Sequence, residues 1–394
     1  MSEDRLVKLA VAGGRHSRGI AAALRRWADR IRLASVCDID EAVLEDWSRA
    51  YPWITAYTDY RRMLDDADCD AVYVATPMSL HARQAIEALS AGKHVLSEPV
   101  AAMTLDECWE LVETVERAGL VYSLAESRCF MRANLVVLGM ARAGLFGELT
   151  YAEGAYIQDG RAQLHDTDGR LMPHGEAALM TGNTCPTHAL GPVSQWLGIN
   201  VTDRFASTAT WMSAPTSLLE YWRAEWPGTP DLPLTRGDAA VTVVRTERGA
   251  IIASRADAQS ARPHNAAQYH VQGTKGAYLS ARHGGEANLV WIDGLSPGRS
   301  VDGSAEWETL DQYYDQFDHP WWREALAQGR QASQTGDVLA IRAFIDSILD
   351  AAPPAIDVYD AVTWSSILPL SIESVARGSI PVDVPDFREA RSIA

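Results

Sequence analysis

The chain has 394 residues, enough for two or three domains, and its 47% hydrophobic and 22% charged content is that of a globular protein, not a disordered or fibrous one. Acidic residues outnumber basic ones 52 to 35, for a formal net charge of −17, which argues against a nucleic-acid or anionic-membrane partner. No apolar run reaches the roughly 20 residues of a membrane-spanning helix, and the opening "MSEDRLVKLAVAGG" lacks the basic start, long apolar core and cleavage site of a signal peptide.

In chain order, "LVKLAVA" (6–12) is an apolar run of strand length, followed over 18–30 by helical spacing of Ile20, Ala23, Leu24 and Trp27. "RLASVCD" (32–38) predicts a second strand and 40–50 a helix; "DAVYVAT" (70–76) predicts a third strand and 79–91 a helix. "KHVLSE" (93–98) is a fourth strand, Thr104 and Glu107 are spaced as a capping box opening a helix over 104–118, and "LVYSLAE" (120–126) is another strand. Strands alternating with helices imply an α/β domain with a doubly wound parallel sheet. From about 127 the pattern changes. A helix over 131–143 ends at Gly144, and alternating segments follow at 148–157, 239–257 and 268–280, the last two folded at "ERG" and "GTKG". They predict an α+β domain with a large open, mostly antiparallel sheet. Residues 159–187 and 212–237 read as long functional loops, and the tail from 337 is helical again. The expected domains are 1–125 and 126–394, with helices at about 357–377 as candidates to pack back on the first.

Five scattered cysteines (Cys37, Cys69, Cys108, Cys129, Cys185) form no CxxC pair and no Cys/His cluster at ligand spacing, so a reducing cytoplasm and no metal are expected. "VAGGRHSRG" (11–19) joins the first strand to the first helix, where backbone N–H groups and a helix start can meet a pyrophosphate. Aligned to GxGxxG, it places Ala12, Gly14 and Ser17 at the glycine positions, with Arg15 and His16 between them. Asp38 ends the second strand where a ribose-binding acid belongs; it favours NAD over NADP, and the alternative is a cap for the helix at 40. Thr76 and Pro77 break the third strand on the nicotinamide side, with His81 nearby as a cofactor contact or a packing residue. Glu98 and Pro99 stand at the carboxyl edge of the fourth strand, where open α/β sheets bind ligands.

These segments, in this order, resemble the Gfo/Idh/MocA family (glucose–fructose oxidoreductase, inositol dehydrogenase and relatives), whose fold is a Rossmann domain followed by an open sheet. "AESRCFMRAN" (125–134), "GLFGELTYAEGAYIQD" (144–159), "GNTCPTHALGPVSQWLGIN" (182–200), "VQGTKGAY" (271–278) and "DVYDAVTWSSILPLS" (357–371) are similar to its NAD-dependent α-N-acetylgalactosaminidase branch. The resemblance implies a sugar or glycoside substrate, NAD as cofactor, and a homodimer or homotetramer. It also implies a chemistry in which NAD oxidises a sugar hydroxyl transiently. The ketone acidifies the neighbouring proton, the leaving group is eliminated, water adds and the hydride returns.

That chemistry needs a base and donors for an enolate oxygen. His188 is the candidate base, and its bland alternative is a buried histidine bonded to backbone. Glu126 and Tyr156 match the branch; a cap or ion pair is the alternative for the first, core packing for the second. Three positions depart. Cys185 stands where the branch has tyrosine, Gln158 where it tends to have histidine, and Thr184 where the dehydrogenases have aspartate. The dehydrogenases' lysine is missing from "SEPVAA". Cys185 has no positive neighbour in sequence, so a cysteine nucleophile is not expected. Arg262, His264 and His319 are further substrate candidates, and His165 and His174 lie in the first long loop, where they could gate the site. Two rival readings stand beside recycled NAD: a net sugar or polyol dehydrogenase, and a non-catalytic sugar or nucleotide sensor.

Overall fold

The computed structural model describes residues 6–17, 20, 24–166, 172, 180–228, 234, 236–263, 267–329 and 335–389. The chain divides into two compact units, one comprising Met1–Phe130, Ser333–Ser366 and Phe387–Ala394, the other Met131–Ala332 and Ile367–Asp386.

In the first unit, strands β1 (Val7–Ala12), β2 (Ile31–Cys37), β3 (Thr55–Tyr57), β4 (Ala71–Val74), β5 (His94–Ser97) and β6 (Tyr122–Leu124) form a parallel sheet in the order β3-β2-β1-β4-β5-β6. Central strands of such a sheet are covered on both faces, which is why β4 reads as an unbroken apolar run and is buried throughout. The strand order reverses between β1 and β4, and ligands of doubly wound sheets bind at that switch point. Helix Leu105–Ala118 opens on the expected Thr104/Glu107 capping box and ends at Gly119 in the left-handed conformation. Of the helix expected over 18–30, the described Ile20 and Leu24 are helical and a short 3-10 turn follows at Arg25–Trp27. Val338, Ile341, Phe344 and Ile345 of helix Thr335–Leu349 join Val7, Leu9 and Val11 in this unit's core. Burying such side chains contributes about 1.5–3 kcal/mol each.

The second unit holds β7 (Leu149–Ile157), β8 (Phe205–Met212), β9 (Ala239–Thr246), β10 (Ile251–Asp257), β11 (Ala267–Gly273), β12 (Gly276–Leu279), β13 (Leu289–Ile292), β14 (Glu308–Thr309) and β15 (Val382–Asp383). Their order is β14-β13-β12-β11-β7-β10-β9-β8-β15, with β7 and β10 parallel and the other described neighbours antiparallel. The expected hairpins form at Glu247–Gly249 and Thr274–Lys275. Burial alternates along β9 and β10, so one face is covered and the other open. Helix Thr187–Leu197 lies on the covered face. Gly154 of β7 makes this possible, because a Cβ there would overlap the Ala189 carbonyl oxygen and come within 2.6 Å of its carbon.

The segment 212–237, expected as a loop, contains helix Ser217–Glu225. Its N-terminal N–H groups are capped from afar: Thr216, Ser217 and Leu218 all donate to the Asp238 carboxylate at 2.7–3.3 Å. Among the described residues no helix is long and apolar enough to cross a membrane, and no group of three His, Cys, Asp or Glu side chains is placed to hold a metal.

Candidate active site

β1 runs into Gly13, which has a φ of 91°. A Cβ on Gly13 would overlap the Ala75 carbonyl oxygen and sit 2.7 Å from Thr76 N, so only glycine lets this turn press against the end of β4. The sequence alignment put the glycine positions at Ala12, Gly14 and Ser17; the backbone places the strictest demand at Gly13. Ala12 is a buried strand end. Gly14 is held against the helix Glu41–Ala50, its carbonyl accepting from Trp47 Nε1 at 2.9 Å. Ser17 Oγ donates to Gly13 O at 2.6 Å and closes the turn. Arg15 and His16 are exposed on it.

Asp38 is half-buried at the end of β2. Its two carboxylate oxygens accept from Arg15 N at 3.1 Å and Asp40 N at 3.0 Å. The helix at 41 is capped by Asp40, whose side chain accepts from Ala42 N, so the capping alternative for Asp38 falls away. Asp40 also pairs with the Arg15 guanidinium. A turn that opens on two glycines at the switch point and an oriented carboxylate at the end of β2 fit an NAD pyrophosphate and ribose.

His81 is buried, with Nδ1 2.8 Å from Val100 O and Nε2 2.7 Å from Thr76 O. It clamps the chain after β4 to the chain after β5, which is the packing role. Thr76 Oγ1 donates to Gln84 Oε1 at 2.7 Å. Glu98 accepts from the buried Tyr73 hydroxyl, and the half-buried Pro99 follows it. Burial, reinforced by Glu98, raises the Tyr73 pKa well above the usual phenol value. Glu126 is fully buried, and its Oε1 accepts from Arg128 N at 3.1 Å, so it caps the 3-10 turn Ser127–Phe130.

In the second unit, His188 is the second residue of helix Thr187–Leu197, and its ring lies 4.5 Å from the Tyr156 ring at an angle of 49°. Residues 32 positions apart in sequence are thereby brought together on the covered face. The loop before the helix is tied down at several points. Asn183 N donates to Ser371 Oγ at 2.8 Å, and its side-chain amide donates to Ser254 Oγ at 3.2 Å and to Thr242 Oγ1 at 3.4 Å. Arg236 Nη1 donates to Thr184 Oγ1 at 2.7 Å.

Arg236 is a neighbour of the candidate loop that the sequence does not announce. It is 3% exposed, and burial lowers its pKa against the pull of Cys185, Asp257 and Asp238. Half-exposed Cys185 thus lies within electrostatic reach of a buried guanidinium 51 residues downstream. Gln158 follows β7, its N–H donating to Asp257 O at 2.8 Å.

Other candidates lie elsewhere. His319 caps helix Pro320–Ala327, accepting from Trp321 N at 3.3 Å. Arg262 lines a concavity of about 740 Å³ with Arg255, Gln268 and Arg282, on the open side of the sheet, away from Tyr156. His165 packs in an aromatic cluster, 4.1 Å from the Trp226 ring and 6.0 Å from Tyr221. His174 and His264 lie outside the described residues.

Residues 7–126 match the oxidoreductase family model with an NAD-binding Rossmann fold (Gfo/Idh/MocA), and residues 130–393 match the glycosyl hydrolase 109 C-terminal domain. A glycosyl hydrolase family 109 protein of Solibacter usitatus (strain Ellin6076) is 32% identical over 378 residues, covering 92% of this chain and 83% of that protein. One from Stenotrophomonas maltophilia (strain K279a) is 32% identical over 394 residues, covering 91% of this chain and 84% of its own. The solved structure of an NAD-binding oxidoreductase from Klebsiella pneumoniae has a TM-score of 0.77 at 18% identity, covering 97% of this chain and 100% of that one, which speaks for the fold. With Rossmann domain and C-terminal domain both matched, the chain belongs to glycosyl hydrolase family 109 and is an NAD-dependent enzyme on the Gfo/Idh/MocA fold.

Proposed function

We propose that the protein acts on a sugar or glycoside by transient oxidation of a hydroxyl, followed by elimination or hydrolysis and return of the hydride. The observation that carries this reading is the pairing of His188 with Tyr156, rings 4.5 Å apart at the start of a helix. Bound NAD would supply reversible hydride acceptance from the sugar carbon. The chain's own residues have the proton work. A hydroxyl that gives up a hydride must also lose its proton, and imidazole titrates near neutral pH, so His188 takes it and later returns it. Tyr156 offers a hydroxyl to oxygen that gains negative charge. Cys185, a poorer donor than the tyrosine of the branch, borders the same loop. The turn from Gly13 to Ser17, together with Asp38, holds the dinucleotide. Glu126 serves as a support of its turn within the cofactor-binding unit.

A homodimer or homotetramer belongs to the same reading, supported by Trp211, Val241 and Ile251, large apolar side chains 41–51% exposed on the open sheet face. So does a cytoplasmic location, supported by cysteines that stand as free thiols.

The test is a panel of nitrophenyl glycosides given to protein purified without added cofactor. Cleavage of at least one, without NADH accumulating, is expected, with NAD or NADH released on denaturation. His188→Ala is expected to lose about 10²- to 10⁴-fold in turnover while still binding NAD. Near-normal turnover in that variant would remove His188 from the mechanism. Stoichiometric NADH from sugar would make the protein a net dehydrogenase, and NAD binding without turnover or proton exchange on any sugar would make it a sensor.

A further inference from the structure

Helix Thr187–Leu197 carries a proline inside it, Pro192. A helical residue donates its N–H to the carbonyl four positions earlier, and proline has no N–H to donate. Pro192 thus deprives the carbonyl of His188 of its helical donor. The hydroxyl of Tyr269 donates to that same oxygen at 2.6 Å. Tyr269 comes from β11, is 5% exposed, and is the register partner of Gly154 on β7. Gly154 in turn seats the next carbonyl, that of Ala189. Two facing residues of the sheet therefore meet two consecutive carbonyls of the turn that carries His188. The Tyr269 ring also lies edge-on to Trp196 at 5.8 Å, in the last turn of the same helix.

We propose that Tyr269 is a positioning residue for His188: its hydroxyl stands in for the N–H that Pro192 lacks and fixes the first helical turn, and with it the imidazole against Tyr156. The catalytic consequence rests on the acid/base reading of His188; the hydrogen bond does not. The arrangement makes a specific claim about two distant residues. Tyr269→Phe removes the hydroxyl and keeps the ring against Trp196. Pro192→Ala returns a backbone N–H four residues after His188. If the hydroxyl serves as a substitute donor, the second change compensates the first. If Tyr269 only fills space, it does not.

The experiment uses the full chain loaded with NAD. Its histidine ring signals are recorded by NMR, and that of His188 is assigned by its disappearance in His188→Gln. In Tyr269→Phe the His188 signal is expected to shift or split. Turnover of a cleaved nitrophenyl glycoside should fall on the order of tenfold or more, in kcat rather than KM, because misplacing a catalytic group by an ångström is that costly. In the double variant both readouts are expected to move back to wild type. An unmoved His188 signal in Tyr269→Phe, or a double variant that behaves like Tyr269→Phe, overturns the proposal. A His188→Gln protein that keeps its turnover removes the acid/base reading instead, and the NMR comparison still decides the positioning role.

Discussion

Gly154 lies so close beneath Ala189 that a Cβ on it would come within 2.6 Å of the Ala189 carbonyl carbon. The helix bearing His188 rests on the sheet by its backbone at this point, which brings the ring down to Tyr156. Gly154→Ala must either lift the helix or bend β7. Overpacking of this kind costs about 1–3 kcal/mol. A lower denaturant midpoint and a loss of turnover larger than the loss of NAD affinity are expected. Unchanged stability would mean that the helix has room to move.

Gly13 makes the corresponding demand in the cofactor-binding unit. Its φ of 91° disfavours any side chain, and the Ala75 carbonyl leaves no space for one. Gly13→Ala is expected to weaken NAD binding by at least about tenfold, or about 1.4 kcal/mol, as measured by calorimetric titration. Ser17→Ala, which loses one hydrogen bond within the turn, should be milder. The reverse ranking would restore the alignment that makes Ser17 a motif position.

Much of the fold was legible because its signals are local. The apolar runs of β1, β4 and β5, the Thr104/Glu107 box and the alternation of β9 and β10 lie within a few residues of what they specify. The misses depend on distant partners. Helix Ser217–Glu225 takes its cap from Asp238, and the local Ser217-x-x-Glu220 spacing that could have announced its start is lost among the glycines and prolines of the segment. Pro192 disfavours a helix by local rules, and the helix Thr187–Leu197 forms around it with support from the sheet through Gly154 and Tyr269. Tyr156 and His188 were each legible as chemistry, but their contact belongs to the tertiary fold. Arg236 gave no signal, since its meaning comes from Thr184 and Cys185 in another loop.

Asp38 is expected to set cofactor choice. Its carboxylate is held by Arg15 N and Asp40 N, and a 2′-phosphate brought to the end of β2 would meet its charge. Asp38→Ser should weaken NAD by about tenfold and improve the ratio of NADP to NAD binding by at least as much. Titration of both nucleotides into both proteins measures this. A variant as selective for NAD as the wild type would place discrimination elsewhere in the turn.

His81 gives the first unit a defined response to acid. Burial lowers its pKa, opposed by the Val100, Thr76 and Glu98 backbone and assisted by His16. The folded protein then binds this proton less readily than the unfolded chain, whose histidine titrates near 6.5. Protonation therefore favours unfolding. The His81 contribution is fully present above about pH 7 and declines as the pH falls through 6.5, with a slope of at most about 1.4 kcal/mol per pH unit, until the folded pKa is reached. His81→Gln keeps a side chain that can bond a carbonyl and removes the titration. Its unfolding free energy, measured from pH 5 to 8, is expected to lack the part of the wild-type decline that His81 supplies. A variant that follows the wild-type curve would show that the proton is taken up elsewhere. A wild type that gains stability on acidification would mean that the backbone acceptors outweigh burial and hold the ring as imidazolium.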